Sequence, residues 1–189
     1  IHLDRSVNDE GLRLDKQTHT QPVWSVGHPE IHVLDHVAQA AGCSLGDIDG
    51  YDLRAYDTAA PAVFGPHQEF FAAGRLDNLS SMHASVTALI NADGGDVVQM
   101  VAAFDHEELG SASRSGASGP VLADVLTRIS SGLGATLDER YRSLAQSFCV
   151  SADTGHAIHP NYSRRHDPLN QPILNLGPLL KINANQRYA

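Results

Sequence analysis

The run Asp96-Val97-Val98-Gln99-Met100-Val101-Ala102-Ala103-Phe104 is almost without polar interruption. Such a run has no polar face to give to water, and it predicts a central parallel strand buried on both sides. Asp93-Gly94-Gly95 ahead of it reads as a turn. Before that turn, Asn78 to Asn91 reads as a helix with Met82, Val86, Leu89 and Ile90 as its apolar stripe. A Gly- and Ser-rich loop follows the run, from Gly110 to Gly119. Pro120 to Gly132 is the next predicted helix, with Pro120 in its first turn and Val121, Leu122, Val125, Leu126 and Ile129 on one stripe. Leu137 to Gln146 also reads as helical. Phe148-Cys149-Val150 then reads as a second buried strand, and Ile173 to Asn183 as strand-like with an interruption at Gly177-Pro178. Strands alternating with helices predict an α/β fold, a partial mixed or parallel sheet with crossover helices.

Upstream the text differs. Residues 1–27 are polar, with Asn8 and Gly11 as breakers. Glu30 to Ala41 predicts a helix, with Ile31, Leu34, Val37, Ala38 and Ala41 on one face and Gly42 as its stop. Tyr51 to Ala55 reads as a short strand closed by Ala59-Ala60-Pro61. The change of character near Gly65-Pro66 predicts two parts, residues 1–66 and residues 67–189.

Composition narrows the function. The chain has 189 residues, 42% of them apolar, and its charge is −9 from 13 basic and 22 acidic side chains. A surface for nucleic acid or anionic membrane needs Lys and Arg, so neither partner is expected. Cys43 and Cys149 stand too far apart in sequence for a Cys-x-x-Cys metal motif and predict no disulfide framework. A reducing, cytoplasmic setting is the simpler expectation. No apolar run approaches the ~20 residues of a membrane span.

Ligands of open α/β sheets bind at the carboxyl ends of the strands. Both apolar strands run into acids there: Asp105-His106-Glu107-Glu108 after the first, and Ser151-Ala152-Asp153-Thr154-Gly155-His156 after the second. Asp77 opens a helix in Gly74-Arg75-Leu76-Asp77-Asn78. Carboxylates and histidines at one sheet edge suit a hard or borderline divalent cation. Two such ions can activate water and hold a carbonyl oxygen, while a further carboxylate moves the proton. Each acid alone has a plainer reading: Asp77 as an N-cap, the Asp-His-Glu-Glu run as a solvated loop. Adjacent Glu107 and Glu108 serve one site only at an irregular bend, which Gly110 makes available.

Four ordered segments carry a resemblance. They are Gly74-Arg75-Leu76-Asp77-Asn78-Leu79, Asp105-His106-Glu107-Glu108-Leu109-Gly110-Ser111, Ser151-Ala152-Asp153-Thr154-Gly155-His156-Ala157-Ile158-His159-Pro160-Asn161-Tyr162, and Lys181-Ile182-Asn183-Ala184-Asn185-Gln186-Arg187-Tyr188. In this order they resemble the aspartyl aminopeptidase family of dinuclear-metal aminopeptidases. Ile1-His2-Leu3-Asp4-Arg5 and Leu14-Asp15-Lys16-Gln17 resemble the start of that family's inserted, β-rich dimerisation domain. The resemblance implies an aminopeptidase that removes N-terminal Asp or Glu from peptides. It also implies two divalent ions, most often zinc (cobalt or manganese in some cases), and dimers assembled into a dodecamer. It implies roles as well: Asp77 bridging the metals, Glu108 and Asp153 as one ligand for each, Glu107 as general base, and His156, Lys181 and Tyr188 lining the substrate pocket. His2, in the dimerisation element, is a candidate to reach a neighbouring subunit's site. Lys181 would be the point charge for an acidic substrate side chain; without the resemblance it reads as a snorkelling strand residue. His159 is expected to brace the loop with Pro160.

The same resemblance implies two further metal-binding histidines, one in a His-Thr-Asp segment before the dimerisation domain and one near the C-terminus. Neither segment lies in this sequence, and Ile1 reads as a cut into an element. The expectation is therefore the middle of a larger enzyme, an isolated piece of which would bind metal weakly. A non-catalytic assembly module of the same fold is the competing reading. Gly74 stands where many relatives carry proline.

Overall fold

The computed structural model describes residues 1–181. The chain divides into two units, Ile1–Ala59 and Ala60–Ala189. In the first unit α1 is a single turn, Val7–Glu10, and α2 spans Val33–Ala41. The α2 stripe of Leu34, Val37, Ala38 and Ala41 buries Ala38, which is 4% exposed. Gly42 ends the helix in the left-handed region at φ 70°, ψ 29°. Cys43 N–H bonds Ala38 C=O at 3.0 Å and Gly42 N–H bonds Gln39 C=O at 3.2 Å, a Schellman closure that glycine makes without a Cβ penalty. The helix starts three residues later than the apolar spacing suggests. Pro29 and Glu30 are taken up by a turn in which Ile31 N–H bonds His28 C=O at 3.2 Å.

The second unit opens on an antiparallel hairpin. β1 (Ala62–Phe64) pairs with β2 (Phe70–Ala72), with Val63 opposite Phe71 and Phe64 opposite Phe70. The Phe64 and Phe70 rings stack with centroids 5.3 Å apart. Gly65 turns the chain at φ 98°, and Gln68 N–H returns to Gly65 C=O at 3.1 Å. Three helices follow: α3 (Leu76–Ile90), α4 (Val121–Gly132) and α5 (Leu137–Gln146).

α5 has the boundaries its local sequence dictates. Thr136 accepts from Glu139 N–H at 3.3 Å, and Glu139 Oε2 accepts from Thr136 N–H at 2.8 Å and from its hydroxyl at 2.7 Å. This reciprocal capping satisfies orphan donors of the first turn. The Thr136 hydroxyl, and then its N–H, hold the Glu139 carboxyl below its ordinary value. A carboxyl lowered in the folded state adds stability above its unfolded value and loses it as pH falls through the folded one. Thr136→Ala also removes the N-cap hydroxyl, a loss ordinarily worth about 1 kcal/mol. The gap in melting temperature between the full-length protein and this variant should narrow as pH falls through the lowered value of the Glu139 carboxyl, and the part owed to the Glu139 N–H bond should remain.

The strands expected at Tyr51–Ala55, Asp96–Phe104, Phe148–Val150 and Ile173–Asn183 do not form ladders among the described residues, where the only sheet is the β1–β2 hairpin. An apolar run states a preference for burial; a strand also needs a neighbour to bond, and none of these segments finds one here. At the last of them a turn intervenes, with Asn175 at φ 64°; residues beyond Lys181 lie outside the described chain.

Ala38 and Gly116 are the only buried residues among those described. The chain exposes 17224 Å². Compact units of these two sizes would together expose about 10,000 Å². The apolar stripes of α3 and α4 are correspondingly open, with Val86 at 42% and Val125 at 42% exposure. Among the described residues no helix is long and apolar enough to cross a membrane.

Candidate functional site

The start of α3 is irregular where the sequence places Asp77. Arg75 is left-handed at φ 61°, ψ 27°. Asp77 (φ −84°, ψ 107°) and Asn78 (φ −119°, ψ 29°) are non-helical, and the peptide bond between them is cis. Leu79 N–H reaches back to Arg75 C=O at 3.1 Å and closes the turn. No side chain caps this end of the helix, so the N-cap reading of Asp77 does not hold.

Three side chains tie this turn to the segment around Asp153. Asn78 Nδ2 donates to Ala152 C=O at 2.9 Å. The Thr154 hydroxyl lies 3.2 Å from Asn78 Oδ1 and 2.8 Å from the Ser80 hydroxyl. Ser80 also reaches Leu76 C=O at 2.9 Å. Two hydroxyl protons serve these three contacts, so two are donated bonds at any moment. Asp153 Oδ1 accepts from Thr154 N–H at 2.9 Å. Asp77 and Asp153 thus sit on directly hydrogen-bonded segments that are 76 residues apart in sequence.

Glu107 and Glu108 lie on a 3-10 turn, Glu107–Leu109, between two left-handed residues, His106 (φ 64°, ψ 26°) and Gly110 (φ 94°, ψ 13°). This is the irregular bend that two adjacent functional acids require. The loop beyond it folds back on its own base. Asp105 N–H bonds Ser115 C=O at 3.1 Å, Ser111 N–H bonds His106 C=O at 2.9 Å, and Ser118 N–H bonds Ser111 C=O at 3.2 Å. The half-buried His106 ring holds Ser113 Oγ at 2.6 Å through Nδ1. Gly116 is packed so closely against the Ser111 carbonyl that no Cβ fits.

The pocket residues are only partly described. Gly155 lies directly against the Leu179 side chain, and Ile158 N–H bonds Pro172 C=O at 2.8 Å. These contacts run the His156 segment alongside the one leading to Lys181. His156 and Lys181 are exposed. His2 is exposed and lies in the first unit. Tyr188 falls outside the described residues. His159 caps the 3-10 helix Pro160–Arg165 by accepting from Asn161 N–H at 3.2 Å, and its ring lies 5.5 Å from Tyr162.

Among the described residues no three His, Cys, Asp or Glu side chains gather into one metal-holding group. The acids come as two sets, the Asp77 and Asp153 segments and the Glu107–Glu108 turn. The ladder expected beneath Asp105 and Asp153 would set the spacing between these sets, and it is not formed among the described residues. The donor chemistry nonetheless fits a divalent cation. Asp77, Glu107 and Glu108 are exposed carboxylates with no protein donor among the described residues. Carboxylate oxygens are what zinc, manganese and cobalt accept. The sequence reading gives Asn78, Ser80 and Thr154 no functional role. The available signal was a short polar residue directly after each acid, Asn78 after Asp77 and Thr154 after Asp153.

All 189 residues match the family model described as Aminopeptidase I zinc metalloprotease (M18), and the chain belongs to that family. It is 46% identical over its whole length to a probable M18 family aminopeptidase 2 of Streptomyces coelicolor, covering 45% of that protein. It is 37% identical to a probable aspartyl aminopeptidase of Ricinus communis, covering 47% of it. The chain thus spans just under half the length of these relatives. Its fold is that of yeast aminopeptidase 1: the match to that crystal structure has a TM-score of 0.66 at 30% identity, over 77% of this chain and 35% of the other. A second structure of the yeast protein, matching with the same score, is of a dodecamer.

Proposed function

We propose that the full-length protein removes N-terminal Asp or Glu from peptides, using water activated at two divalent metal ions, with zinc as the metal the family description favours. The observation that carries this reading is the hydrogen-bonded union of the Asp77 turn with the Asp153 segment. It brings together two segments whose acids would serve as metal ligands by the family resemblance, within a family described as zinc metalloproteases. Asp77 would bridge the ions, with Glu108 and Asp153 as further ligands. When bound, the ions would supply Lewis acidity toward the scissile carbonyl and the attacking water. Glu107 takes the proton from that water and returns it to the leaving amine. Lys181 pairs with the acidic side chain of the substrate, and His156 and Tyr188 line the pocket. His2 reaches the site of a neighbouring subunit. A dodecamer built from dimers and a cytoplasmic location complete the reading, the former supported by the assembly of the yeast relative.

The test is hydrolysis of Asp- and Leu-derived chromogenic amides by the full-length protein, with and without a chelator. Cleavage of the Asp amide at least tenfold faster, lost on chelation and regained with zinc, is expected. Indifference to chelator, or preference for Leu, defeats the reading.

A further inference from the structure

The Asp77 turn is closed on itself by one backbone bond, and its link to residues 152–154 runs through side chains. Asn78 grips Ala152, the residue before Asp153, and meets Thr154, the residue after it. Ser80, one helical turn into α3, holds the Thr154 hydroxyl from the other side at 2.8 Å. The neighbour of one acid therefore straddles the other acid. Among the described residues both carboxylates are left uncommitted to each other's segment, since there Asp153 bonds only the adjacent Thr154 N–H.

We infer that Asn78 and Thr154 are positioning residues that set the spacing between Asp77 and Asp153, with Ser80 holding the Thr154 hydroxyl in register. The inference rests on the reading of these acids as metal ligands. Asn78 is fixed first: its Nδ2 is committed to Ala152 C=O, so its Oδ1 faces Thr154. The Thr154 hydroxyl then bridges Asn78 and Ser80, a place that a methyl group of the same size fills without bonding. Groups that orient metal ligands in this way are worth about 10–100-fold in metal affinity or activity.

The experiment is zinc retention by the full-length protein during titration with a chelator, read as zinc per chain and compared among wild type, Thr154→Val and Thr154→Ser. Thr154→Val should weaken zinc retention by about 10–100-fold. Thr154→Ser, which keeps the hydroxyl, should stay within a few-fold of wild type. A role in packing alone would be met by valine and not by serine, so the order of the two variants decides. Retention by Thr154→Val equal to wild type overturns the inference, as does equal loss in both variants. If Thr154→Val fails to fold, Asn78→Ala decides: it should show the same loss, and wild-type retention in it overturns the inference. A wild-type protein that holds no zinc defeats the proposed function and this inference with it. A zinc-holding wild type with an unaffected Thr154→Val variant defeats the inference alone.

Discussion

Glu107→Gln in the full-length protein is expected to lower kcat for an Asp-derived amide by about 10²–10⁴-fold while leaving zinc content at the wild-type level. The substitution keeps shape and removes the ability to accept a proton. Glu107 is exposed on its 3-10 turn and has no protein donor among the described residues, so the amide leaves no partner unsatisfied. Stability should therefore change little. Glu108→Gln, one residue on, should behave oppositely and release zinc. Three residues per turn separate adjacent side chains by about a third of a circle, so the neighbours can hold different tasks at one bend. Zinc measured on both variants, beside steady-state rates, separates the assignments. Loss of zinc from Glu107→Gln would make Glu107 a ligand instead of the base.

The second large effect is expected at Gly116. This residue is buried, and an added Cβ would press on the Ser111 carbonyl oxygen and lie 3.0 Å from Ser111 Cα. Ser111 cannot give way cheaply: its N–H is bonded to His106 C=O and its C=O accepts from Ser118 N–H. Any shift passes to His106, whose left-handed backbone opens the turn that carries Glu107 and Glu108. Gly116→Ala should cost about 1–3 kcal/mol, the usual toll of an overpacked contact. It should also cut activity about 100-fold, because displacements of about 1 Å at reacting groups carry that cost. Gly94→Ala is the matched control, since a Cβ there meets no atom within 4 Å. Its stability should stay within about 0.5 kcal/mol of wild type. Melting curves and rates of the two variants check both values, and equal behaviour would refute the cradle.

Local signals were legible in the sequence and long-range ones were not. α5 spans Leu137–Gln146 as its sequence reads, and its start is fixed by Thr136 and Glu139, a device that acts within one turn. Gly42 likewise closes α2. Asp96–Phe104 was misread as a laddered strand because its apolar side chains encode a wish for burial and carry no information about which backbone bonds them. The β1–β2 hairpin was missed although its signal is local: aromatic residues on both sides of Gly65-Pro66, meeting as the Phe64–Phe70 stack. At the site, the acids were legible as residue types at the ends of apolar runs. The link between Asn78 and Thr154 was not, because it joins residues 76 apart through short polar side chains that elsewhere serve as caps and turns.

The open surface of the chain has a thermodynamic consequence. A fully unfolded chain of 20.2 kDa exposes about 29,000 Å². Unfolding from 17224 Å² therefore uncovers about 12,000 Å², against about 20,000 Å² for a compact monomer of this mass. Heat capacity change and denaturant sensitivity both follow the area uncovered. Residues 1–189 taken alone would thus have a flatter stability curve, with a broader thermal transition and a response to urea about 40% shallower than a compact monomer's. Covering the chain down to the area of a compact monomer would bury about 8,000 Å² more, and would raise that curvature by about two thirds.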